Sequence, residues 1–251
     1  MKNPLLRKAV GYAGALVVLL AFWAATAALV NSPALPGPAI AIETFVTQWP
    51  EIWPEIVTSF WRVMAAMAIG TGLAVPIGLW LGRSPRADAV AAPVIFVVYP
   101  IPKVVFLSVL LVLFGLGSGP KIALIAMIIF FQILVTARDA AKAVPEPSVL
   151  SVRSLGASRF DVYRHVVVPA ALPDIFTALR IGTGTAIAVL FLAESIAGSS
   201  GIGWYIVDAW GSIDYPAMFA GIIGMALLGV VLYEALDAVE GWATRWRRAG
   251  R

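Results

Sequence analysis

IALIAMIIFFQILVT, residues 122–136, has no charged side chain, whereas RDAAKAVPEPSVLSVRSLGASRFDVYRHVVVPAALP, residues 138–173, carries a charge every few positions. The first segment belongs in hydrocarbon and the second in water, so the chain leaves a membrane between them and re-enters it at Ile175–Ile196. The same alternation continues in both directions. Apolar runs cover about 9–30, 56–81, 89–115, 122–136, 175–196 and 218–236, most of them near the 20 residues or so that a helix needs to cross a ~30 Å core. Apolar residues make up 61% of the 251-residue chain, against roughly 45–50% in soluble proteins. The pattern predicts an all-α membrane protein with about six transmembrane helices, built as one domain over 1–251.

Composition also excludes function classes. Cysteine is absent, which removes disulfides, thiolate nucleophiles and cysteine metal sites, and one histidine, His165, leaves little for a metal cluster. The net charge of +4 is modest and its basic residues flank apolar runs, which does not suit a nucleic-acid-binding face. An intramembrane enzyme lacks its catalytic constellation here, and a secondary transporter or channel would show inverted repeats or more intramembrane ionisable groups.

The first run follows Lys2, Arg7 and Lys8, and its small residues near 24–28 suggest a signal-peptide site; its 22 apolar residues favour a retained helix. A Pro-rich stretch with Pro33, Pro36, Pro38, Pro50 and Pro54, beside Trp49, Trp53 and Trp61, reads as an external loop with an aromatic belt. In the third run Pro100-Ile101-Pro102-Lys103 should kink or break the helix, leaving carbonyls that only protein or a water-filled cavity can satisfy. Two readings stand: a helix lining a pathway, with Pro100 and Pro102 at its break, or an interfacial segment before a shorter helix.

Orientation follows from the basic residues. With both termini in the cytoplasm, the inner pieces hold Lys2, Arg7 and Lys8, then Arg83 and Arg86, then six residues from Arg138 to Arg180, then Arg245, Arg247, Arg248 and Arg251. Only Arg62, Lys103 and Lys121 fall elsewhere, while Glu43, Glu51, Glu55, Asp208 and Asp214 lie in the outer loops, as the positive-inside rule requires.

The 36 residues from 138 to 173 are too many for a plain connection. A short helix is expected over Glu146–Leu155, ended by Gly156 in the left-handed conformation. Ser158 then caps a second helix from Arg159 to about Val167, with Asp161 as a short capping-box acid, while Pro169 and Pro173 fix re-entry and Asp174 caps the fifth span. The result is an L-shaped knob with Val149, Val152, Leu155, Phe160 and Tyr163 apolar and Arg153, Arg159 and Arg164 basic. Such a surface suits docking into a groove on a cytosolic partner. The alternative is an amphipathic pair lying on the headgroups.

Ser154-Leu155-Gly156-Ala157-Ser158-Arg159-Phe160, followed by Val166 through Pro173, resembles the EAA loop of binding-protein-dependent ABC importer permeases. Pro100-Ile101-Pro102, Phe114-Gly115-Leu116-Gly117 and Glu194-Ser195 through Gly203 are similar to the branch that imports nitrate, sulfonates, taurine and bicarbonate. The resemblance runs from about Phe60 to Leu236. It departs at one point: the motif's Glu-Ala-Ala falls on Leu150-Ser151-Val152, and Glu146, one turn earlier, is the substitute.

The resemblance implies a type I ABC importer permease fold with a two-helix cytoplasmic coupling element, in a bacterial inner membrane. It implies partners: cytosolic ABC ATPase subunits, an extracytoplasmic solute-binding protein, and a second copy or a similar permease. ATP and Mg belong to the ATPase, and the chain itself binds no cofactor or metal; no G-x-x-x-x-G-K-[ST] cradle occurs in it. The coupling residues are Val152, Arg153, Leu155, Gly156, Ala157, Ser158, Phe160, Tyr163 and Pro173.

Glu194, an acid at membrane depth, is read either as a pathway residue or as a structural partner. Arg62 reads first as a cation snorkelling to the outer interface, and second as a carboxylate partner or anion attractor. Gly70, Gly72, Gly78, Gly182 and Gly184 read as helix-packing or dimer-packing positions. The turn Ser200-Gly201-Ile202-Gly203-Trp204 should face outside, either touching the binding protein or as an ordinary glycine turn.

Overall fold

The computed structural model describes residues 4–245, and every regular element among them is helical. The expected basic contributions of Lys2, Arg247, Arg248 and Arg251 lie outside the described residues. In chain order the α-helices are α1 (Pro4–Val30), α2 (Pro38–Thr47), α3 (Trp49–Arg83), α4 (Pro85–Val98), α5 (Leu107–Phe114), α6 (Ser118–Lys142), α7 (Glu146–Ser154), α8 (Arg159–Val162), α9 (Val168–Ala197), α10 (Ile202–Gly211) and α11 (Tyr215–Ala243). Five segments are long and apolar enough to cross a membrane, and a sixth is reached where α4 and the Lys103–Phe114 segment, bent by 81° to one another, are counted together as one span.

The helices outrun their apolar cores, which corrects several boundaries. The fourth span, expected over 122–136, runs from Ser118 to Lys142, so Arg138 and Lys142 are its last turns and not the start of a loop. The Pro-rich segment expected as a loop is largely helical, in α2 and the first turns of α3. Pro38 and Pro50 stand at helix starts, where the missing N–H has no partner to lose, and Pro54 gives up a single bond. Asp208 also lies in a helix, α10, outside the six spans.

The centre of the bundle is α3 laid against α6, with α9 packed on α6 and touching α3 as well. Without water between helices to drive association, approach distance decides the packing, and α3 places a small residue every four: Ala66, Gly70, Ala74, Gly78 and Gly82. A Cβ on Gly70 would stand 2.9 Å from the Ala126 carbonyl oxygen, and one on Gly78 2.7 Å from that of Leu134. Both are below normal contact, so this ridge admits no side chain. Gly72 and Gly184 have open space where a Cβ would go and do not pack against another helix of this chain, and Gly182 has only the Gln132 amide nearby.

Ion pairs fasten the helices near one end of the bundle. The Arg138 guanidinium grips both oxygens of Asp88, which also accepts from Lys142 at 2.7 Å, so the start of α4 is held to the end of α6. Arg180 on α9 pairs with Asp237 at 3.2 Å and with Glu240, both on α11. By contrast α1 buries nothing in its spanning window; Trp23 stacks on Phe219 at 5.4 Å and donates to the Pro36 carbonyl.

Gly78→Leu should separate α3 from α6, whereas Gly72→Leu should be tolerated. Thermal unfolding of the two purified variants in detergent checks this, with a clear drop expected for Gly78→Leu alone.

Candidate functional site

The knob forms as its local chemistry requires. α7 ends at Ser154 and the next residues close a Schellman motif: Gly156 N–H donates to the Arg153 carbonyl at 2.9 Å and Ala157 N–H to that of Val152 at 3.4 Å. Gly156 takes φ +86°, a conformation that strains any side chain. The chain then turns at Ser158, whose hydroxyl accepts from the Asp161 N–H while the Asp161 carboxylate accepts from the Ser158 N–H, a complete capping box.

The second arm departs from expectation. It is not a separate helix ended by prolines: α8 continues through a π-helical turn at Tyr163–Val167 into α9, and Arg159–Ala197 is one helical run of 39 residues. The Val168 N–H reaches back to the Tyr163 carbonyl, and this widened turn gives the Pro169 ring room that a tight α-turn would deny. Asp174 therefore lies inside α9 and caps nothing, and Pro173 is an interior helix position.

Burial sorts the knob into two faces. Val149, Val162 and Val167 are buried against the bundle, so Val149 anchors the knob and is not part of a docking surface. Leu155 and Phe160, one on each side of the bend, are 87% and 68% exposed. Val152, Ala157 and Tyr163 are half-buried, and Arg153, Ser158, Arg159 and Arg164 are exposed. Glu146 reaches Arg83 at the end of α3 with 2.7 Å between charges, and Arg83 also donates to the Val144 carbonyl, so this acid ties the knob to the bundle.

At the break in the third run, α4 ends at Val98 and the carbonyls of Val98, Tyr99 and Ile101 all accept from the Lys103 ammonium, at 3.2, 2.6 and 3.2 Å; that of Val98 also accepts from the Ile101 N–H. The same ammonium lies 4.9 Å from the centre of the Phe131 ring on α6. Protein thus supplies a donor to the carbonyls at the break, and both prolines are exposed.

Glu194 is fully buried in a closed network, as is its neighbour Arg62 at 4% exposure. Arg62 does not snorkel: its Nη1 donates to Glu194 at 2.6 Å and to the Ser200 carbonyl at 2.7 Å, its Nη2 to the Ser200 hydroxyl, and its Nε to Ser118. The Glu194 carboxylate also accepts from the Ser59 hydroxyl and from the Gly203 N–H at 2.9 Å, at the N-terminus of α10 where the helix dipole favours an anion. Gly201, at φ +102°, is pressed against Glu194 and Arg62 so closely that a Cβ would overlap the carboxylate. Gly201, Ile202 and Gly203 of this turn are buried. Beside it, Lys121 is 1% exposed and donates to the carbonyls of Leu116, Gly117 and Ala197. None of these partners comes from the Pro100–Pro102 break. The sequence signal that had been available was Ser59 with Arg62, two polar residues three apart on one face of an apolar helix.

At the lip of this region Tyr205 on α10 donates to Gln48 at 2.5 Å, and burial, with Glu51 and Asp214 nearby, pushes its phenol up to about 12, so it remains a donor.

A long bent helical run, a broken apolar helix and a capped knob between spans are now in place. Residues 74–245 match the family model described as binding-protein-dependent transport system inner membrane component. The chain belongs to that family. It is an ABC importer permease, a multi-pass membrane protein, and its relatives are transport permeases. It is 32% identical over 252 aligned residues to the taurine transport system permease protein TauC of Escherichia coli (strain K12), covering 97% of this chain and 92% of that one. The putative aliphatic sulfonates transport permease protein SsuC of Bacillus subtilis (strain 168) is 28% identical over 92% of this chain and 86% of its own length. Among solved structures, the MetNI methionine ABC transporter in inward-facing conformations matches with a TM-score of 0.62 at 18% identity, over 76% of this chain and 96% of that chain, which shows the fold.

Arg62→Met should strand the Glu194 carboxylate and cost about 3–5 kcal/mol, as breaking a buried pair does; thermal unfolding in detergent would show it, with Arg180→Met, at a more exposed pair, losing less. Ser158→Ala should weaken the α8 start by about 1 kcal/mol, visible as faster hydrogen exchange of the Asp161 amide while the α3 and α6 cores stay protected.

Proposed function

We propose that this permease forms the translocation pathway of an ATP-driven importer and couples to a separate cytosolic ATPase through the knob at residues 146–163. The observation that carries the reading is the pairing of Leu155 and Phe160, large apolar side chains left in water on both sides of a bend that a Schellman motif and a capping box hold rigid. A rigid exposed anchor with Arg153, Arg159 and Arg164 around it has the makeup of a docking surface. Because α8 runs without interruption into α9, displacement of the knob would be carried directly into a membrane-spanning helix, a lever for switching between inward and outward access.

ATP and Mg would bind the ATPase and not this chain. The importer would need two permease subunits, this one with a second copy or a similar chain, and would receive its solute from an extracytoplasmic binding protein. The termini and the knob would lie in the cytoplasm of a bacterial cell, with the Arg62–Glu194 network toward the outside. The names of the relatives, a taurine and an aliphatic sulfonate permease, favour a small sulfonate as solute.

Gly156→Pro, or a charge placed at Phe160, should abolish co-purification of the ATPase while membrane insertion is unchanged; undiminished ATPase recovery with both variants would remove the docking reading. Cysteine placed at Arg153 in this cysteine-free chain should react with impermeant reagent only from the cytoplasmic side.

A further inference from the structure

Behind the knob, on the side facing the bundle, lies a cavity of about 880 Å³ between the end of α3, the start of α4, the end of α6 and the two knob helices. Its walls include Val149 and Val162, both buried. Two acids reach it and both are already answered: Glu146 by Arg83 at 2.7 Å, and Asp88 by Lys142 at 2.7 Å together with Arg138. Three guanidiniums are not. Arg86 on α4, Arg153 on α7 and Arg159 on α8 all line the cavity, and within the described residues none of them has a hydrogen bond or ion pair. Three unpaired arginines from three helices around one space make a strong anion trap, since each presents a planar fork of donors matched to phosphate oxygens.

We infer that this cavity binds a phosphate-bearing anion of the phosphodiester class, held between Arg86 at the bundle and Arg153 and Arg159 on the knob. Its position favours a phospholipid headgroup as the source. The cavity opens where α3 and α4 meet, at the end of a membrane-spanning helix, and Trp80, one of its walls and 55% exposed, has the place of an interfacial tryptophan. From its edge at Ala89 the exposed side chains Val90, Val94 and Val97 run along one face of α4, a bed on which acyl chains can lie. An anion there would tie the knob to the bundle, so the composition of the inner leaflet would bear on how firmly the lever is held. Only this last consequence rests on the docking reading; the binding itself does not.

Lipid retention by the purified 251-residue chain, with no ATPase present, separates the two. In native mass spectrometry from a mixture of phosphatidylglycerol and phosphatidylcholine, the wild-type chain should retain the anionic lipid in preference. A basic group near an anionic surface is worth roughly fivefold in affinity, so Arg86→Gln with Arg159→Gln should weaken phosphatidylglycerol binding roughly thirtyfold. Inorganic phosphate at millimolar concentration should leave the retained lipid in place; displacement by it would assign the cavity to the free ion instead of the lipid. Equal retention of both lipids by the wild-type chain, with no response to phosphate, overturns the proposal, and this comparison needs no variant to fold.

Discussion

A carboxylate without water has to be answered by protein, and Glu194 is answered by Arg62, by Ser59 and by the Gly203 amide of α10. The cost of leaving either charge alone at that depth is several kcal/mol, so the elements that supply the partners cannot drift. α3 brings Ser59 and Arg62, α9 brings Glu194, the start of α6 brings Ser118, and the Ser200–Gly203 turn brings a hydroxyl, a carbonyl and two amides. One ion pair thereby fixes four pieces of chain, and the short helix α10 is placed by its N-terminus and not by its length.

The knob end of the bundle is held by the same physics with different residues. Arg138 and Lys142 on α6 close over Asp88 on α4, and Arg83 closes over Glu146, so α3, α4, α6 and α7 meet in a cluster of charge pairs. Between the two ends the contact is apolar and close, through the small-residue ridge of α3. Charge pairs set which helices meet, and glycine sets how near they come. The knob is fastened to this frame by Val149 and Glu146 on its inner side, which leaves its outer side free to bear load.

The broken helix shows how a membrane protein tolerates a disrupted backbone. The two prolines interrupt the backbone ladder, and the fourth residue of the same Pro-Ile-Pro-Lys sequence returns to donate to three carbonyls at the break. The 81° bend is therefore a settled conformation with its polar groups satisfied, which allows two short helices to stand where one span was expected. Its mobility during transport would require Lys103 to leave these carbonyls.

Sequence alone determined the membrane setting, the all-helical class, the break at Pro100–Pro102 and the bend of the knob. Each is a local property: hydropathy over about 20 residues, a missing proline N–H, a glycine at positive φ, a serine three residues before an aspartate. The extents of the helices were not legible, because α-helix continues into polar sequence wherever side chains from other helices receive its charges, as Asp88 receives Arg138 and Lys142. Nor could spacing tell that α8 runs on into α9, since the π turn that accommodates Pro169 is set by packing of Val162 and Val167 on the bundle. Arg62 is the clearest case. Its charge near a span end reads as a snorkelling cation, and only the approach of Glu194, 132 residues away, makes burial the lower-energy state.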